Sequence, residues 1–122
     1  MTGVQTCALP IYTHLQIRGI TRGNLGAAGD KYVEMNFNTG NFTGTSYNYH
    51  ELYGNGTSAA ATGAASQPSI YSIHYDGSGD TANAFGTFII DILDYTNTNK
   101  YKTIRSLSGW DANGSEIGRA HV

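Results

Sequence analysis

The chain reads as an all-β protein, an antiparallel β-sandwich or jelly roll cut short at its C-terminal end. Three observations lead there. Charged residues make up only 13% of the 122 residues, while Gly, Tyr, Asn, Ser and Thr abound. Aromatic and β-branched side chains suit a pleated, half-buried surface, whereas a helical bundle would be richer in Leu, Glu, Lys and Ala. Apolar residues also recur at every second position in several short runs, the period of a strand with one buried face. Clusters of Gly, Asn, Asp and Thr punctuate those runs as turns.

Taken in order, Thr13–Thr21 sets Leu15 and Ile17 on one face and His14, Gln16 and Arg18 on the other, a half-buried strand. Residues 23–30 are rich in Gly and Asn and form a loop. Lys31–Asn38 alternates again, with Val33, Met35 and Phe37 inward, and Asn38–Asn41 is a tight turn. Ser46–Tyr53 is an aromatic strand in which Tyr47, Tyr49, Glu51 and Tyr53 share one face and Asn48, His50 and Leu52 the other; either face could be the inner one. Gly54–Gln67 reads as a loop or at most one helical turn, because Gly63 interrupts its alanines. Ser69–Tyr75 is a strand with Tyr71, Ile73 and Tyr75 on one face, and Asp76–Asp80 a turn. Ala84–Tyr95 is apolar on both faces, as a central strand would be, and pairs with Lys100–Leu107 in a hairpin turned at Thr96–Asn99. Ser108–Ser115 opens a further turn.

The two ends carry inverted copies of one nucleotide sequence. Thr6–Ile11 can be encoded by ACG TGT GCT CTT CCG ATC, and the reverse complement, read one base in, encodes Ile117–Val122. This is the pattern of a sequencing adapter translated on both strands. Residues 1–11 and 117–122 are therefore expected to be adapter-derived and to lack packing partners, leaving one β domain, residues 12–116, as a fragment of a longer gene. Cys7, the single cysteine, falls in the excluded part and gives no guide to redox compartment. Residues 13–115, which leave out the hybrid junction positions Tyr12 and Glu116, still have a net charge of −2, six basic against eight acidic residues. That is no electrostatic footprint for nucleic acid or anionic membrane, and no apolar run approaches a membrane span.

Few residues combine into chemistry. Asp91 and Asp94 could form an acid/base dyad, but strand alternation puts them on opposite faces; Asp94 is expected to cap the following turn and Asp91 to pair with Arg105 or Lys102 across the hairpin. Asp76–Asp80 and Asp111–Asn113 offer oxygen ligands without the full calcium-loop pattern, and His14, His50 and His74 lack metal-ligand spacing. Asn41, Asn55 and Asn113 fit the glycosylation acceptor, a match that Asn/Thr-rich chains produce by chance. No catalytic set, metal site or cofactor site is expected. The best binding candidates are Tyr47, Tyr49, Tyr53 and His50, because aromatic rings with polar tips and little surrounding charge suit neutral ligands such as sugars. The same rings could equally pack a sheet.

The stretch Phe85–Gly114, with Ile90-Asp-Ile-Leu-Asp-Tyr95 and Lys100-Tyr-Lys-Thr103 at its centre, resembles a recurring segment of uncharacterised tailed-bacteriophage proteins from environmental samples. Leu15–Gly19 and His50–Gly56 recur at matching places. Those proteins continue into a Gly-Leu-Trp segment and another Ile-rich strand, absent here. The resemblance implies a virion component of the tail or head surface, and it supplies no catalytic or binding residues; other virion proteins and host-surface glycans are the partners expected for such a component. The alternative expectation is a carbohydrate-binding or adhesin module of a secreted bacterial protein.

Overall fold

A computed structural model describes residues 12–23, 31–37, 44–54, 57–75, 84–110 and 118–121. These form eight strands and no helix: β1 (Leu15–Thr21), β2 (Lys31–Met35), β3 (Tyr47–Gly54), β4 (Ala59–Gln67), β5 (Ile70–Tyr75), β6 (Gly86–Ile92), β7 (Ile104–Gly109) and β8 (Gly118–His121). A six-stranded antiparallel sheet runs β1-β6-β7-β8-β3-β4, and β2 and β5 pair in a second, two-stranded sheet. β5 lies against β7 and β6. The protein is thus all-β and antiparallel, and its two sheets are consistent with a sandwich.

The hairpin of β6 and β7 has the expected pairing, with Ile92 opposite Ile104 and Asp91 opposite Arg105. Alternation assigns the inner face. Ile90 and Ile92 of β6 are buried and join Ile73 of β5 in the core, with Ile17, Val33, Met35 and Phe88 packed around them. Removing this apolar surface from water is the main force holding the two sheets together. At one point the backbones approach closely. A Cβ on Gly19 would stand 2.7 Å from the Phe88 ring, so only glycine on β1 lets that ring lie across its neighbour.

The outer face of β1, β6 and β7 carries a polar chain. Arg18 Nε donates to Gln16 Oε1 at 2.6 Å, Gln16 Nε2 donates to Asp91 Oδ1 at 2.6 Å, and Arg105 reaches Asp91 Oδ2 at 3.4 Å. Asp91 therefore pairs across the hairpin as its position suggests. Asp94 caps the turn: its carbonyl accepts from Asn97 N at 3.1 Å and its carboxylate from Asn97 Nδ2 at 3.3 Å. Its backbone sits in the left-handed region, φ 53°, which aspartate tolerates better than most residues.

One expectation fails. Gly54–Gln67 is not a loop throughout, since Ala59–Gln67 is the edge strand β4, paired with β3 from Tyr53 opposite Ala60 to Tyr47 opposite Gln67. Alanine and glycine have little strand preference of their own, and pairing to an aromatic neighbour overrides it. Gly63 is required by close approach, because a Cβ there would stand 2.7 Å from the Tyr49 carbonyl oxygen. Residues 118–121, expected to have no evolved packing partners, pair through the main chain: β8 lies against β3 on one side and β7 on the other. Main-chain N–H and C=O groups make that pairing, and any sequence without proline supplies them. Residues 1–11 lie outside the described residues.

Candidate functional site

β3 divides the four residues singled out in the sequence. Tyr47, Tyr49 and Tyr53 are half-buried on the inner face with the buried Glu51, while His50 is exposed on the outer one. The tyrosines pack as well as present surface. The Tyr47 hydroxyl donates to Asn36 Oδ1 at 2.7 Å and accepts from the Phe37 N–H at 3.0 Å, tying β3 to the end of β2. Tyr49 meets Tyr71 edge-on at 5.4 Å, and Tyr71 continues to Tyr32 at 5.0 Å. Burial, followed by the nearby Glu51 carboxylate and Tyr71, raises the Tyr49 phenol above its ordinary pKa of 10.0, so it remains a neutral hydrogen-bonding group.

Beneath β3, His74 Nε2 lies 3.0 Å from Glu51 Oε1, with side chains 1% and 2% exposed. Tyr32 sits edge-on to His74 at 4.4 Å and Trp110 stacks parallel to it at 6.5 Å. The His74 N–H donates to Ser108 Oγ at 3.3 Å. Such a buried, closely packed pair joins β3, β5 and β7; it offers no open position to a substrate. The alternation Tyr71, Ile73, Tyr75 hides it, because β5 buries adjacent residues Ile73 and His74. The clue within the sequence is Glu51, placed on a face with three tyrosines.

A groove of about 930 Å³ opens where β3 and β7 diverge, walled by the 95–103 connection. Tyr47, Tyr49 and His50 line it, whereas Tyr53 does not. Phe37 also lines it, and sequence reasoning missed two further rings, Tyr95 and Tyr101, the latter fully exposed. The signal available was the pair of tyrosines flanking the Asn/Thr-rich turn. Amides from Asn48 and Asn97 add polar contacts. The groove's two lysines are both engaged. Lys100 Nζ lies 2.5 Å from Asp94 Oδ2, and Lys102 Nζ donates to the carbonyls of Asp94 and Asn97. The lining is therefore aromatic and amide-rich, with the Lys100 charge offset by Asp94 and the Lys102 ammonium held by backbone carbonyls, which favours a polar ligand that offers ring and amide contacts.

Asp91 and Asp94 do not converge on this groove as a dyad, since each is committed to the partners described above. Asp76–Asp80, Asp111–Asn113 and the acceptor asparagines Asn41, Asn55 and Asn113 lie outside the described residues. Among the described residues no group of three His, Cys, Asp or Glu side chains could hold a metal ion. A shallower concavity of about 600 Å³ lies on the outer face beside Ile20, Ile89 and Leu107. Comparison with family models, curated proteins and solved structures finds no match.

Proposed function

We propose that this domain is a structural component of a tailed-phage virion, on the tail or head surface, and that it works by contact rather than catalysis. The observation that carries the contact reading is the groove between β3 and β7, where rings, amides and two strand ends meet. The virion assignment rests on the resemblance of Phe85–Gly114 and Leu15–Gly19 to phage proteins. Sequencing the contig that encodes the chain tests it. Portal, capsid or tail genes alongside support the assignment, and hydrolase or secretion genes favour the secreted-module alternative.

A second reading concerns the ligand. Tyr101, fully exposed at the groove's rim, and Tyr95 with Asn97 present the ring and amide combination that neutral sugars use. Adsorption of the domain to host envelope or a glycan panel, compared with Tyr101→Ala, tests that reading, beside a general hydrolase screen for which no activity is expected.

A further inference from the structure

We propose that β4 is a dimerisation edge, along which two copies of this chain join their large sheets by antiparallel β4–β4 pairing. The inference goes beyond the contact reading and uses a different part of the molecule from the groove. β4 ends the six-stranded sheet, with β3 on one side and no described strand on the other. At nine residues it is the longest of the described strands. Among the described residues no turn or loop backbone hydrogen-bonds its outer side. Ala59–Ala64 keeps unbroken register with Tyr49–Gly54, and the irregularity near Ser66, whose φ is 57°, lies at the far end. Exposed edges in soluble proteins are blunted by shortness, charge, proline or a covering segment. Ala59–Gln67 contains no charged residue and no proline, and Ala59–Gly63 is exposed throughout. β4 sits between β3 and β5 in the middle of the chain, and its ladder uses no residue of 1–11 or 117–122.

The occupant that fits this edge is its own copy. A strand without charge meets no like charge when it faces itself. A twofold axis through Thr62 sets that residue opposite itself, Ala61 opposite Gly63 and Ala60 opposite Ala64 of the other copy, an isologous contact. This register keeps the new ladder within the regular stretch of β4 and clear of Ser66. Thr–Thr pairs strengthen antiparallel neighbours, and the Ala and Gly positions on either side of the axis bring no side-chain conflict. Strand addition to a foreign segment gains its selectivity from pockets for alternate side chains. Ala59–Gly63 lines neither of the concavities described above. What this edge offers is main chain, and a second copy matches it in length and register.

Sedimentation equilibrium of the full chain across micromolar to millimolar concentration tests the proposal, with Thr62→Lys and Thr62→Val as variants. Thr62 is exposed, so both variants should fold, and circular dichroism at the lowest concentration checks that they do. The expected result is a monomer–dimer equilibrium that Thr62→Val keeps and that Thr62→Lys weakens roughly fivefold or more, because two lysines then face each other. In a mixed sample of labelled and unlabelled natural chain, isotope-filtered contacts should join Thr62 to Thr62 and Ala60 to Ala64 across copies, a readout that needs no variant. A monomer at every concentration, a dimer indifferent to Thr62→Lys, or cross-copy contacts confined to other strands would overturn the proposal. None of these outcomes touches the groove or the virion assignment, which the neighbouring genes decide.

Discussion

Glu51 and His74 meet across the layers of the fold: Oε1 of one lies 3.0 Å from Nε2 of the other, and neither side chain is more than 2% exposed. The pair joins β3 of the large sheet to β5 of the small one. Removing one partner leaves the other buried beside Tyr32 and Trp110 with a lost hydrogen bond. Glu51→Ala and His74→Ala should each cost about 3–5 kcal/mol, whereas replacing both with apolar residues of similar size costs less than either. Denaturant unfolding of the singles and of Glu51→Met/His74→Leu checks this. Additive losses would contradict it.

Ile90 is 2% exposed at the centre of the core. Ile90→Ala should destabilise by about 2–5 kcal/mol, the transfer term plus the cavity left behind. A midpoint shift well below that range would mean that the two sheets collapse onto the space.

Gly19→Ala tests a different feature of the same interface. The new Cβ would stand 2.7 Å from the Phe88 ring, so the ring must turn away or the strands must part. A loss of about 1–3 kcal/mol is expected, as for other overpacked cores. Gly19→Ala combined with Phe88→Leu should recover part of it in the same unfolding measurement.

The turn and the outer ladder give the fold its acid sensitivity. The Gln16 hydrogen bond, helped by Arg105, holds the Asp91 carboxyl below its ordinary pKa of 3.8, and Lys100 followed by Asn97 does the same for Asp94. A carboxylate with a depressed folded pKa contributes stability that is present above its unfolded value and is lost as pH falls through the folded one. Melting temperature should therefore decline on acidification below 3.8 more steeply for the natural chain than for Asp91→Asn/Asp94→Asn. Parallel curves would contradict the assignment. Because both groups are solvent-accessible, the difference should shrink with added salt.

These tests probe parts of the molecule that the sequence exposes unequally. The β6–β7 hairpin, the Asp91–Arg105 pair and the Asp94 turn are legible because alternation and turn residues are local signals. β4 is not, since Ala59–Gln67 has the composition of a loop and becomes a strand only through its partner β3. The buried Glu51–His74 pair is hidden for a similar reason: it depends on β5 lying beneath β3, a long-range fact. Of the candidate site, Tyr47, Tyr49 and His50 are readable as an aromatic strand. That Tyr53 stands apart, and that Tyr95 and Tyr101 join from the 95–103 connection, follows only from how β3 and β7 diverge.

If the domain works by contact, the ligand enters the groove between β3 and the 95–104 segment. Amide chemical-shift mapping of the isotope-labelled chain, titrated with a glycan panel, locates that contact. The residues perturbed by whichever ligand binds should cluster at Tyr47–His50 and Tyr95–Ile104, with Tyr101→Ala folded and its perturbations reduced. Perturbations centred instead on Ile20, Ile89 and Leu107 of the outer face would contradict it.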